Sequence, residues 1–146
     1  MKIGVIGGGS WGTALAKLLA DKGYAVTLWC YEPELVDAIN NERENTMYLP
    51  GFKLAPTLTA TNDLAECVRD KSMIVSVPPS HVVRSTLAEV ADIIPTGIPI
   101  VSASKGIKNE TLMLVSEILE DVLPVRCHPY LCYLSGPSFA KEVAAN

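Results

Sequence analysis

Apolar residues fall along this chain in two alternating patterns. Short, nearly unbroken apolar runs at residues 2–6, 26–30, 58–61, 72–77, 98–103 and 130–134 read as strands, and each is bounded by glycine, proline or a short polar residue. Between them apolar residues recur at helical spacing. The segment after Gly12 is rich in alanine and leucine, residues 34–41 bring Leu35, Ala38 and Ile39 to one face, and residues 111–123 align Leu112, Val115, Leu119 and Val122. Asn62 or Asp63 is placed to cap a short helix ending at Cys67, Ser80 to cap a helix over 81–91, and Ser138 to open a last one. Residues 45–51 form a loop broken by Pro50-Gly51. Strand and helix in strict alternation predict an α/β fold with a doubly wound, mainly parallel sheet, and residues 1–146 fit one domain.

The first strand–helix junction carries the most specific signal. Gly7, Gly9 and Gly12 form Gly-x-Gly-x-x-Gly between an apolar strand and an amphipathic helix, the context in which that spacing has a mechanism. Gly7 allows a tight turn, Gly9 lets main chain approach a pyrophosphate, and Gly12 lets helix and strand pack closely. The helix N-terminus offers unpaired N–H donors to negative charge. Tyr31-Glu32-Pro33 follows the second strand, and Pro33 suits the first turn of the next helix. Glu32 lies twenty residues beyond Gly12, where a dinucleotide-binding unit places an acid on the adenosine ribose. A carboxylate there repels a 2′-phosphate and favours NAD over NADP. Two other arrangements stay open: Tyr31 takes the ribose or adenine edge while Glu32 faces water, or Glu32 serves only the helix dipole.

Charge and cysteine content narrow the field further. The net charge is −4 with no lysine or arginine run, which argues against nucleic acid or an anionic membrane as the main partner. No apolar run reaches 18 residues, and the N-terminus enters a strand directly, so the cytoplasm is the expected compartment. A hydrophobic fraction of 49% and a mean hydropathy of +0.26 suit elements covered on both faces. Cys30, Cys67, Cys127 and Cys132 lack Cys-x-x-Cys spacing and histidines in metal-ligand register, and the adjacent pair Cys127-His128 is not enough for a zinc site, so no metal site is expected. Cys30 and Cys132 sit in apolar runs and read as small buried hydrophobes.

Ligands of doubly wound sheets bind beyond the carboxyl ends of the strands, which directs attention to three further segments. Val77-Pro78-Pro79 forms a stiff ledge able to support a nicotinamide ring, and His81 in the next turn reads as a solvated histidine. Lys105, before Gly106, reads either as a cation for phosphate or carbonyl oxygen or as a solvated loop lysine. Gly136-Pro137-Ser138 reads either as a second anion pocket or as a plain helix cap.

Taken together, residues 6–16, Leu28-Trp29, residues 45–51, residues 104–107 and residues 135–142 resemble NAD(P)-dependent glycerol-3-phosphate dehydrogenases, in the family's order and near its spacing. The resemblance covers essentially the whole chain. It implies that Ser10 and Trp11 contact the cofactor beside the glycine backbone, that Tyr31 lies near the adenine with Glu32 next to it, and that Tyr48 belongs to the cofactor side. It implies that Lys105 stands between cofactor and substrate, Gly136 and Ser138 on the glycerol-phosphate side, and Ala140 against the cofactor. The implied reaction is hydride transfer between NAD(P)H and dihydroxyacetone phosphate or glycerol 3-phosphate, supplying glycerophospholipid precursor.

Two departures qualify the resemblance. Bacterial members often carry arginine or histidine after the second strand, where this chain has Tyr31-Glu32, so NAD is favoured over NADP. The family's general acid/base and most remaining substrate contacts belong to a helical C-terminal domain that these 146 residues do not include. The chain is therefore expected to be the cofactor domain of a longer protein, a possible homodimer when complete, and to bind cofactor with negligible turnover by itself. Two other readings suit the glycine signature: a different dehydrogenase, acting on a hydroxyacid or sugar nucleotide, and a non-enzymatic NAD(H)-sensing module.

Overall fold

A computed structural model describes residues 1–103, 107–108, 113–134 and 140–145. Strand β1 (Lys2–Ile6) runs into helix α1 (Ser10–Asp21), followed by β2 (Ala25–Trp29), α2 (Pro33–Glu42), β3 (Leu58–Thr61), α3 (Leu64–Val68) and β4 (Met73–Ser76). A 3-10 turn, Ser80–Val82, leads into α4 (Val83–Ala88), and then come β5 (Ile100–Ser102), β6 (Ile107–Lys108), β7 (Met113–Leu114) and α5 (Val115–Val122). A second 3-10 segment, Val125–Tyr130, precedes β8 (Leu131–Tyr133), and α6 (Ala140–Ala145) follows.

Six strands form one parallel sheet in the order β3-β2-β1-β4-β5-β8, the Rossmann-like order. Ile3 stands opposite Val26 on one side of β1, and Val5 opposite Val75 on the other. The chain winds outward from β1 through β2 and β3, then returns to lay β4 against the free side of β1. That reversal opens a crevice beyond the carboxyl ends of β1 and β4, the switch point where such sheets take ligands.

The two-residue period of the strands divides the core. Ile3, Val5, Val26, Leu28 and Val75 face Leu15, Ala16, Leu35 and Ile39 of α1 and α2. Ile6, Ile74 and Ile100 face Cys67, Leu87, Ile118 and Leu119 of α3, α4 and α5. Each such buried aliphatic side chain contributes roughly 1.5–3 kcal/mol relative to exposure, so both faces of the sheet stay dry. A small third cluster of Ala14, Leu49 and Ala144, flanked by Phe52, Ala140 and Val143, holds α6 and the 49–52 loop on the outer side of α1. No helix among the described residues is long and apolar enough to cross a membrane.

The structure differs from the sequence-based expectation in several places, and the strand expected over 98–103 is shortened to residues 100–102. The helix expected over 111–123 begins at Val115, because Met113 and Leu114 pair in antiparallel fashion with Lys108 and Ile107. The helix expected over 81–91 is split: Val82, at φ −119° and ψ 4°, departs from α geometry, and Ser80 starts a 3-10 turn instead of capping an α-helix. The strand expected from residue 130 begins at Leu131, because Tyr130 closes a 3-10 segment containing Pro129. Cys132 is exposed, not buried, because β8 is the edge strand and, among the described residues, pairs with β5 alone. The helix start expected at Ser138 lies outside the described residues.

Candidate functional site

A cleft of about 740 Å³ lies at the switch point, floored by residues 7–12 and walled by Val77-Pro78-Pro79 on one side and by Tyr31, Glu32 and Tyr48 on the other. The floor is fixed by main chain. Gly7 N–H donates to Trp29 O at 3.1 Å, and Val77 N–H to Ile6 O at 2.7 Å, so the turn continues the sheet ladder. Gly7 has φ +127°, and a Cβ there would lie 2.5 Å from Val77 O. A Cβ at Gly12 would lie 1.8 Å from Gly7 O, so α1 leaves the turn as closely as two backbones can pass.

Gly9 is different. Its φ of −72° suits any residue, and a Cβ built on it meets nothing within 4 Å among the described residues. Neither backbone strain nor packing against the described residues calls for glycine at this position, and its missing side chain leaves open space among them over the N-terminus of α1. No side chain caps that terminus, among the described residues. An uncapped helix start with bare main chain in front of it is suited to an anion.

Trp11 stands in the first turn of α1, and its Nε1–H donates to Ala103 O at 3.0 Å, tying the glycine turn to the end of β5. Glu32 is the N-cap residue of α2, yet its side chain does not cap the helix. The Tyr48 hydroxyl donates to Glu32 Oε2 instead, along one edge of the cleft. Tyr31 is 79% exposed and meets Trp29 edge-on, with ring centroids 6.4 Å apart. His81 lines the cleft and is exposed.

The cysteine nearest the floor is not poised to react. Burial, and after it the neighbouring Glu32 and Cys67, push the Cys30 thiol up to about 12. Burial likewise pushes Cys67 up to about 12, so both remain protonated thiols at neutral pH. Tyr48 is also raised, first by its hydrogen bond to Glu32, which keeps the phenol protonated and donating.

The profile of the family described as NAD-dependent glycerol-3-phosphate dehydrogenase N-terminus matches residues 2–146. The chain belongs to this family. It is 56% identical over 143 residues to a glycerol-3-phosphate dehydrogenase [NAD(P)+] of Leptospira biflexa, an alignment covering 98% of this chain and 43% of that protein. Among solved structures it resembles the glycerol-3-phosphate dehydrogenase of Coxiella burnetii, with TM-score 0.84 and 35% identity, over 99% of this chain and 43% of the other. The Saccharomyces cerevisiae enzyme GPD1 is similar at TM-score 0.83 and 31% identity, over 99% of this chain and 44% of the other. The chain thus spans less than half the length of these relatives.

Within this dehydrogenase-family domain the cleft brings together Gly7, Gly9, Ser10, Trp11, Gly12, Tyr31, Glu32 and Tyr48 of the residues singled out in the sequence. Ala140 lies apart from it, in the small apolar cluster on the outer side of α1. Lys105, Gly136 and Ser138 lie outside the described residues. Sequence reasoning missed a second wall, Val82, Ser85, Thr86 and Glu89, along and beside α4, a mixed and mostly polar set that carries no hydrophobic period. It also missed Asn45, which is wholly buried behind the glycine turn. A single asparagine in a loop block carries no periodic signal.

Proposed function

We propose that this chain is the cofactor-holding part of an oxidoreductase that moves hydride between NAD(H) and the dihydroxyacetone phosphate/glycerol 3-phosphate pair. The observation that carries the proposal is the volume over Gly9 that no described residue fills, where glycine is explained by what must approach the backbone from outside. Main-chain N–H groups at the start of α1 would hold the diphosphate, with Gly7 and Gly12 setting the turn beneath it. Glu32 would accept hydrogen bonds from the adenosine ribose hydroxyls. When bound, the nicotinamide supplies or accepts the hydride. Pro78-Pro79 gives that end of the cleft a rigid wall lacking two N–H donors.

By the family resemblance, Lys105 stands between cofactor and substrate, and Gly136 and Ser138 belong to the substrate side. Proton transfer is assigned to the part of the relatives that this chain does not span. A carboxylate at Glu32 supports NAD over NADP, since a 2′-phosphate would sit against like charge. The same reading takes the complete protein to be a cytoplasmic homodimer supplying glycerophospholipid precursor, on the resemblance alone.

Titration with NADH and NADPH, followed by tryptophan fluorescence, tests the cofactor reading. Saturable binding with NADH the tighter ligand is expected, and equal affinity would remove the NAD preference. For the reaction, the full-length protein should oxidise NADH with dihydroxyacetone phosphate, and no turnover with that substrate would refute the assignment.

A further inference from the structure

Asn45 and Tyr48 belong to a short turn whose ends are both anchored. At one end the Asn45 Nδ2 donates to Gly8 O at 2.9 Å and to Thr13 Oγ1 at 2.7 Å, while its Oδ1 accepts from Tyr48 N–H at 2.9 Å. Three of the amide's four hydrogen-bonding positions are used inside the protein. At the other end Leu49 is buried against Ala14, and its N–H returns to Asn45 O at 3.0 Å. Between these anchors Tyr48 is 43% exposed and gives its hydroxyl to Glu32.

A carboxylate on a partly exposed side chain is free to turn into water, where its repulsion of another anion is screened. Here a phenol on a clamped turn restrains it. The hydroxyl occupies one acceptor direction of Oε2 and leaves the rest of the carboxylate for a diol. The same amide that places the phenol also holds the Gly8 carbonyl, so the ribose edge and the diphosphate floor share one buried anchor.

We propose that the 45–49 turn is a positioning device for Glu32, in which Asn45 and Tyr48 fix the carboxylate that tells one dinucleotide from the other. This rests on the reading of the cleft as an NAD site. Asn45 and Tyr48 act through Glu32, and the discrimination belongs to the turn as much as to the acid.

The test is a double-mutant cycle on the purified protein with Y48F, E32A and the pair, reading dissociation constants for NADH and NADPH with melting temperature as a check on the fold. Y48F removes one half-exposed hydroxyl and keeps the ring. It should weaken NADH about fivefold and leave NADPH within about twofold, narrowing the ratio. In the presence of E32A the same change should alter neither constant. N45D, which keeps shape but loses both donors, should narrow the ratio in the same direction wherever it folds. No effect of Y48F, or an equal fall for both dinucleotides with and without E32A, would overturn the positioning role. If E32A alone leaves the NADH-to-NADPH ratio at its wild-type value, the underlying assignment of Glu32 to the ribose fails first.

Discussion

The indole of Trp11 and the carbonyl of Ala103 are joined by a hydrogen bond of 3.0 Å, which pins the first turn of α1 to the carboxyl end of β5. Ala103 is buried. Trp11→Phe keeps an aromatic ring at the cleft but withdraws this donor from a carbonyl with little access to water. Stability should fall by about 1 kcal/mol, seen as a drop in Tm of roughly 3–6 °C. Because Trp11 also lines the cleft, NADH affinity should fall with it. An unchanged Tm would mean that water replaces the indole at no cost.

Gly9 and Gly12 should respond differently to the same added methyl group. At Gly9 the backbone is in an ordinary region and the Cβ direction is empty of described residues. Gly9→Ala should therefore fold about as well as the parent, since the gain of about 0.4–1 kcal/mol from a stiffer unfolded chain is offset by alanine being the poorer N-cap. Dinucleotide binding should weaken by an order of magnitude or more, and Gly9→Val should abolish it. At Gly12 the Cβ would overlap Gly7 O at 1.8 Å, so α1 must shift and stability should fall by roughly 1–3 kcal/mol. Thermal melts and NADH titrations of both variants separate the effects, and unchanged affinity in Gly9→Val would place the cofactor elsewhere.

Much of this contrast was legible in the sequence, because a Gly-x-Gly-x-x-Gly spacing between a strand and a helix has one geometric solution. The parallel order was legible for the same reason: apolar runs too continuous for a half-exposed strand alternate with helices, and that pattern needs covering on both faces. The hairpin of β6 and β7 was not. Leu112, Val115, Leu119 and Val122 keep a helical period, and a period cannot say that the two residues before Val115 are paired across to Ile107 and Lys108.

Within the site, the residues found first were those with a spacing rule, and those missed are held by tertiary contact. Glu32 was found by its distance from Gly12, whereas its partner Tyr48 was placed near the cofactor by family resemblance, with no hint that the two would bond. Asn45 is a polar residue in a loop block until the fold wraps it under Gly8 and Thr13. Cys132 misled because an apolar run implies burial for an inner strand and not for an edge strand.

The cysteines divide accordingly. Cys30, Cys67 and Cys127 are buried and Cys132 is exposed. With a bulky aromatic disulfide under native conditions near neutral pH, Cys132 should react promptly and the other three should wait for unfolding. Mass mapping of the first labelled peptide checks this. Early labelling of Cys30 would show that the glycine turn opens, since a Cβ at Gly8 would already lie 2.6 Å from Cys30 Sγ.

The buried thiols also set an alkaline limit. Burial raises Cys30 and Cys67 from 9.0 to about 12 in the folded chain. The unfolded chain therefore releases these protons at lower pH than the folded one. The stability they contribute is complete below pH 9.0 and drains away as pH climbs toward about 12. Urea midpoints should accordingly hold steady up to about pH 9 and then decline. Cys30→Ala should begin less stable at neutral pH, having lost a packed side chain, yet decline less steeply above pH 9.0, so that the two curves converge. Parallel curves would mean that the Cys30 thiol has no share in the alkaline loss.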